Sequence, residues 1–111
     1  MIWFGPAGNS NSFYDEGFSH SWQMPGWLSD MGLNAYEYQC NKGVNLKDET
    51  AQEIGDKARE YGIRLSVHAP YYINLSSTEQ EKRDNSIKYI LDTLRVAKIM
   101  GADRIVVHPG Y

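Results

Sequence analysis

Two histidines have positions in the chain that suggest shared chemistry. His68 ends the run 63–67 and His108 ends the run 104–107, and a proline-bearing loop follows each histidine. They are 40 residues apart, which leaves room for one helix between two parallel strands. Because carboxyl ends of parallel strands meet at one edge of a sheet, we predict that both histidines lie there and form a metal or anion site.

The elements that position these histidines alternate regularly. Short apolar or alternating runs predict strands at 1–4, 35–40, 63–68 and 104–108. Helical spacing predicts a short helix from Pro25 to near Gly32, a helix over 45–61 that ends at Gly62, and a longer one from Ser77 to Gly101. The order strand, helix, strand predicts an α/β fold of parallel repeats, forming part of a barrel or an open wound sheet in a single domain over 1–111.

The helix patterns also predict which side chains are buried. We expect Ser77 to cap the long helix, with Gln80 as its reciprocal partner. The apolar positions at helical spacing predict two buried stripes, one on the short helix and one on the long helix: Trp27, Leu28 and Met31; Ile87, Ile90, Leu91, Leu94 and Ala97.

One acidic residue falls inside a predicted strand. In the run 35–40, alternation places Glu37 on the face opposite Tyr36 and Tyr38. If the tyrosines pack under helices, Glu37 points into the barrel interior, where a carboxylate needs a partner or a metal. The favoured explanation for an acidic residue at this position is a salt bridge between Glu37 and Arg64 on the next strand.

Composition limits the classes of partner. The formal net charge of −3 provides no whole-chain attraction to nucleic acid or to an anionic membrane, so any DNA contact must be local. No run approaches the length of a membrane span, and the single cysteine, Cys40, cannot form an intrachain disulfide. We expect a cytoplasmic protein in which Cys40 is a buried, small apolar residue.

The stretch 68–75, His-Ala-Pro-Tyr-Tyr-Ile-Asn-Leu, together with Val-His-Pro-Gly at 107–110, resembles the endonuclease IV family of apurinic endonucleases, within the xylose isomerase-like barrels. The resemblance covers the whole chain but only the N-terminal half of such a protein, strands 1–4 of a TIM barrel. It implies a hydrolase of DNA repair that cleaves the backbone at abasic sites with zinc ions.

The resemblance also implies roles for single residues. His68 and His108 correspond to two histidine ligands of a zinc ion, and Tyr71 to the tyrosine beside the metal cluster and the substrate phosphate. We expect substrate contacts from Asn9 in the first loop, residues 5–12, and from Tyr72 and Asn74.

Two departures leave other functions open. Catalytic zinc usually has three protein ligands, and the family's remaining ligands come from strands five to eight. The first two loops also lack the family's histidine and most of its basic residues, with Lys42 the only basic residue in either. Alternatives are therefore a divergent sugar isomerase or epimerase acting on another phosphate or sugar, and a non-catalytic half-barrel. We expect this chain alone to be inactive, and its open edges predict a homodimer that closes the barrel.

Overall fold

The computed structural model describes residues 1–110 and contains a three-stranded parallel sheet. Its strands are β1 Ala35–Gln39, β2 Arg64–His68 and β3 Ile105–Val106, which pair in that order. The chain before β1 contains helix α1 Asn11–Asp15, a 3₁₀ turn Ser21–Gln23 and helix α2 Met24–Asp30. Helix α3, Asp48–Tyr61, connects β1 to β2, and helix α4, Gln80–Met100, connects β2 to β3. The predicted α/β class with parallel repeats is confirmed.

The prediction of a first strand at 1–4 is wrong. An edge segment, residues 4–8, instead runs along β1 through three backbone hydrogen bonds: Ala35 N to Phe4 O at 3.1 Å, Glu37 N to Pro6 O at 3.0 Å and Gly8 N to Glu37 O at 2.9 Å. Only Ala7 and Glu37 form a regular bridge. Pro6 has no N–H to donate, which limits the regular ladder.

Helix α4 buries a different face from the predicted one. Ala97 is buried as expected, but Leu91 is 60% exposed, and Ile87 and Leu94 are also exposed. The buried positions of the helix are Ser86, Thr93, Val96, Ala97 and Met100. The two hydroxyls tolerate burial because each donates to a carbonyl one turn earlier, Ser86 to Lys82 at 2.8 Å and Thr93 to Tyr89 at 2.7 Å.

The helix ends are close to prediction, but two starts are later: α3 begins at Asp48, three residues after the predicted start at 45. Gly62 and Gly101 end α3 and α4 in the left-handed conformation, as expected. However, α4 begins three residues later than predicted, and Ser77 Oγ accepts from the Glu79 N–H in the preceding turn instead of capping the helix. In α2, Trp27 and Leu28 are buried as predicted, but Met31 lies just after the helix and is exposed.

The core lies between the helices and one face of the sheet. That sheet face presents Tyr36, Leu65 and Val67, and Ile54 of α3 and Val96 of α4 pack in the same cluster. The opposite face carries the polar alternates of the same strands and is only half-buried. Within residues 1–110, none of the helices combines the length and apolar composition that a membrane span needs.

Candidate functional site at the carboxyl ends of the strands

The two predicted histidines lie side by side. His68 is the last residue of β2, and His108 follows β3 by two residues; their ring centroids are 4.9 Å apart with the planes tilted by 48°. Nδ1 of His68 is 2.9 Å from the Ala69 carbonyl oxygen. Because a carbonyl oxygen only accepts, Nδ1–H is the donor, and in the neutral ring this tautomer leaves the lone pair on Nε2. The spacing in the sequence therefore predicts the juxtaposition correctly, and one imidazole is oriented with an available lone pair.

Backbone hydrogen bonds hold the loops around this pair. Ala69 N donates to Val106 O at 2.9 Å, and Leu75 N donates to Pro109 O at 2.8 Å. On the other side of β2, Cys40 N donates to His68 O at 3.1 Å. These bonds connect the ends of all three strands, so the histidines lie on a fixed backbone.

Glu37 lies on the same face of the sheet as His68, but its partner is not the predicted one. Its register partner is Ser66, whose hydroxyl donates to Glu37 Oε1 at 2.8 Å. Arg64 instead pairs with Asp103, through Nε at 2.7 Å and Nη2 at 2.6 Å to the same carboxylate oxygen. The expected Glu37–Arg64 salt bridge is therefore wrong. Glu37 and Ser66 line a cavity of about 430 Å³ on this face.

Two tyrosines stand at the rim after β2. Tyr71 and Tyr72 are each 47% exposed, and their ring centroids are 4.9 Å apart at 59°. The Tyr71 N–H donates to the Asn41 carbonyl at 3.0 Å, which fixes this loop to the end of β1. Both tyrosines are thus about half open to solvent in the loop that follows His68.

Asn74 lies further along the same loop, against the loop that follows His108. Its backbone N–H donates to Ser86 Oγ at 2.8 Å, and its side-chain oxygen accepts from Ser76 N at 3.1 Å. A Cβ built at Gly110 would lie 3.3 Å from that oxygen. Asn74 therefore shapes the contact between the two loops that carry the histidines.

Asn9 is held in a hydrogen-bond network in the first loop. Its amide nitrogen donates to Tyr14 Oη and Ser21 Oγ, both at 3.2 Å, and its oxygen accepts from the Tyr36 hydroxyl at 2.6 Å. Burial raises the pKa of Tyr36, so the phenol stays protonated and can donate. The network fixes the first loop to β1 along a second cavity of about 420 Å³.

Sequence reasoning overlooked Gln39, the last residue of β1. Gln39 is the register partner of His68, so the two side chains share one face of the sheet at neighbouring strand ends. The alternation that assigns Glu37 to the inner face also assigns Gln39 to it. That signal was sufficient to find the residue.

Cys40 follows directly and is buried, as expected for a small apolar residue. Burial raises the pKa of its thiol to about 11, which keeps the sulfur protonated near neutral pH.

The pair of histidines fits part of a metal site. Neutral imidazole is a good zinc ligand, and the His68 tautomer leaves Nε2 available. Within residues 1–110 no group of three histidine, cysteine or carboxylate side chains is arranged to hold a metal ion. The residues present thus fit two ligands of a zinc ion and no more.

Comparison with known proteins identifies the family. The family model described as xylose isomerase-like TIM barrel matches residues 25–111. The chain belongs to this family. Its parallel strand-helix repeats form part of such a barrel.

Relatives by sequence include proteins named probable endonuclease 4. An uncharacterized protein of Methanocaldococcus jannaschii is 40% identical over 113 residues, covering 100% of this chain and 38% of that protein. Probable endonuclease 4 of Mycoplasmoides gallisepticum is 41% identical, covering 73% of this chain and 30% of the relative; that of Aquifex aeolicus is 36% identical, covering 62% and 24%. The chain thus spans about a quarter to two fifths of the length of these relatives.

Solved structures with the same fold include sugar epimerases. A crystal structure of D-psicose 3-epimerase in the presence of D-fructose superposes with a TM-score of 0.68 and 19% identity, covering 78% of this chain and 31% of that one. The apo 3-keto-D-glucoside 4-epimerase of E. coli gives a TM-score of 0.68 and 18% identity, covering 93% and 36%. At these identities the likeness establishes the fold.

Proposed function

We propose that this chain supplies part of the active site of an endonuclease 4-like, zinc-dependent phosphodiesterase that acts on abasic sites in DNA. The observation that carries the proposal is the contact between His68 and His108 at one edge of the sheet. The sequence relatives named probable endonuclease 4 support the same reaction class.

Each rim residue has a part in this proposal. His68 and His108 would hold zinc, which when bound lowers the pKa of a water enough for attack on a phosphodiester near neutral pH. Tyr71 would contact the substrate phosphate, and Tyr72 and Asn74 would contact the nucleotides beside it. Asn9 would contact substrate only by exchanging a partner in its present network.

Of the proposed site residues, Glu37 has the least support for direct contact with metal or substrate. It already accepts from Ser66 and lies two residues below the end of β1. We propose it as an interior carboxylate that orients groups near the metal. A cytoplasmic location is part of the proposal, since the single cysteine has no disulfide partner within the chain.

Zinc titration calorimetry tests the metal site. The unaltered chain should bind one zinc ion weakly, and His68→Ala and His108→Ala should each lose that event, since each removes one of two ligands. His20→Ala is the matched control, because His20 stacks on Trp22 outside the site and its loss should leave binding unchanged. Unchanged zinc binding in both rim variants would contradict the proposal.

Cleavage of an abasic duplex tests what the chain can do alone. We expect no cleavage even with zinc, because catalytic zinc usually has three protein ligands and residues 1–110 offer two at this rim. Activity that survived purification and disappeared in His108→Ala would contradict this expectation. It would show that two copies of the chain complete one site.

A sugar isomerase or epimerase is the second candidate function. Its support is a cavity beside β1 whose described lining residues are all neutral polar, aromatic or small, as the hydroxyls of a sugar require. The third candidate, a self-associating half-barrel without chemistry, is supported by the exposed apolar side chains of α4 and of the N-terminal residues. Turnover of a ketose by a longer polypeptide that contains this chain would favour the second candidate over DNA hydrolysis.

A further inference from the structure

We propose that a groove between α2 and the end of α3 binds a small organic cation of the quaternary ammonium class. This aromatic groove is a cavity of about 280 Å³ with four aromatic side chains in its lining: Phe18, Trp22, Trp27 and Tyr61. It shares no lining residue with the two cavities beside β1, and neither histidine of the rim belongs to it. The groove is thus a second site, separate from the proposed active site.

Phe18 and Trp27 lie together against the buried ring of Phe13. Phe18 stacks on Phe13 with ring centroids 5.3 Å apart, and Trp27 meets the same ring edge-on at 5.4 Å. Trp27 Nε1 donates to Glu16 Oε2 at 3.1 Å, so the single donor of the indole is used within the chain. What these two side chains offer a ligand is therefore apolar ring surface, held in place by the core.

Tyr61 and Trp22 line the groove from α3 and from the turn before α2. A Cβ built at Gly26 would lie 3.2 Å from two ring carbons of Tyr61, so the glycine lets this ring approach α2 closely. The Trp22 ring stacks on His20 at 5.7 Å, and Gln23 Oε1 fixes this turn by accepting from the His20 N–H at 2.9 Å. The aromatic lining is thus organised before a ligand arrives, which lowers the cost of binding.

The charged groups of the groove favour a cation. Asp30 lines it, is exposed, and its carboxylate has no hydrogen-bond or ion-pair partner within residues 1–110. Lys57, the other charged residue of the lining, is paired with Glu60 at 3.3 Å. Helix α3 ends at Tyr61, and the end of a helix carries partial negative charge. The net charge of the groove available to a ligand is therefore negative.

A quaternary ammonium group fits this combination of rings and carboxylate. Aromatic rings attract a cation held over their faces, and sets of such rings are a known means of recognising quaternary ammonium ligands. The group has no N–H to donate, so it leaves no donor unsatisfied against ring carbons. A volume of about 280 Å³ is slightly below the range of roughly 300–1,000 Å³ for drug-sized ligands, which favours a small molecule as the occupant.

The test is an NMR titration of the chain that follows the indole N–H signals of its three tryptophans. The probes are choline and its uncharged counterpart of the same shape, 3,3-dimethyl-1-butanol. We expect choline to produce saturable shifts of the Trp22 and Trp27 signals. Trp3 is the internal control, because it lies against Arg64 outside the groove and its signal should not move. The alcohol should bind at least about threefold more weakly, since it lacks the charge that the rings attract.

Substitutions separate the charge from the apolar contact. Asp30→Asn should weaken choline binding about two- to fivefold, as expected for an exposed ionic contact, and leave binding of the alcohol unchanged. Tyr61→Leu keeps an apolar side chain but removes a ring, and should also weaken choline binding about two- to fivefold. Asp84→Asn is the matched control, because it removes the same charge from α4, where Asp84 accepts from Gln80 at 2.7 Å.

Each outcome decides the inference. It is overturned if choline gives no saturable shift, if the alcohol binds as tightly as choline, or if Trp3 shifts as much as Trp22 and Trp27. It is also overturned if Asp30→Asn binds choline like the unaltered chain, a result that stands even if Tyr61→Leu fails to fold. A peptide with trimethyl-lysine that binds more tightly than choline would overturn the assignment to a free small molecule. Zinc binding at His68 and His108 is measured separately, so failure of the proposed function leaves this result unchanged.

Discussion

The two ends of the parallel strands differ in what their polar side chains contact. At the amino ends, Arg64 donates to the Asp103 carboxylate and its guanidinium lies 5.5 Å from the centre of the Trp3 ring. At the carboxyl ends, His68 and His108 contact each other, and the Gln39 side chain has no hydrogen-bond partner within residues 1–110.

The difference shows how a partial barrel divides its tasks. Polar groups at the base are used up in contacts within the chain, which stabilise the arrangement of the strands. At the rim, Asn9 and Asn74 are also hydrogen-bonded within the chain, but the Gln39 amide and one ring nitrogen of His68 remain available to a ligand. This matches the general separation in α/β barrels between a base that serves stability and a rim that serves chemistry.

The largest expected effect comes from substituting two glycines, one at each end of the strands. A Cβ at Gly5 would lie 1.5 Å from the Ala35 carbonyl oxygen, whereas one at Gly43 would be 3.7 Å from the Asn45 side chain. Gly5→Ala should therefore displace the edge segment and lower the free energy of unfolding by about 1–3 kcal/mol. Gly43→Ala should stay within about 0.5 kcal/mol of the unaltered chain. Urea unfolding measures both, and equal losses would contradict the contrast between base and rim.

The limits of sequence-based prediction follow the same division. The histidine pair was predictable because strand alternation and a 40-residue spacing suffice to bring two parallel strand ends together. The partner of Arg64 was not, since Asp103 is 39 residues away and only the packing of α4 decides where it falls.

Helix α4 shows a second limit. Its apolar positions repeat at helical spacing, but periodicity cannot say which side meets the sheet when Ser86 and Thr93 satisfy their own hydroxyls. The prediction of a first strand at 1–4 is wrong for a related reason. Pro6 and the closely packed Gly5 let the edge segment bond to β1 without forming a full ladder.

The next test is self-association. It concerns the exposed apolar surfaces of α4 and of the edge segment, and the unpaired side of β3. Leu91 on α4 and Phe4 in the edge segment are 60% and 64% exposed, and β3 pairs on one side only. Two copies that join the edge segment of one to β3 of the other would close a barrel and bring two histidine pairs to one rim. We expect sedimentation coefficients to rise with concentration.

Variants identify which surface is responsible. Phe4→Lys should weaken association at least tenfold if the sheet edges meet, whereas Leu91→Glu should do so if α4 faces pack together. Gln52→Glu on α3 is the control for added charge. A strictly monomeric, folded chain at every concentration would contradict the prediction, and loss of association in Leu91→Glu alone would contradict barrel closure.

The smallest effect concerns the ion pair at the base. Hydrogen bonds from Arg64 and Arg104 lower the pKa of Asp103. A carboxylate with a lowered pKa stabilises the folded state above its unfolded pKa of about 3.9, and that contribution is lost as the pH falls through the folded value. The difference in stability between the unaltered chain and Asp103→Asn should thus be constant near neutral pH and shrink below about pH 4. In an Arg64→Met background the same substitution should show a weaker pH dependence, measured by urea unfolding at each pH. If the difference in stability is the same at pH 3 and pH 7, the ion pair between Arg64 and Asp103 is only a surface contact. The comparison between the two ends of the strands would then depend on the glycine variants alone.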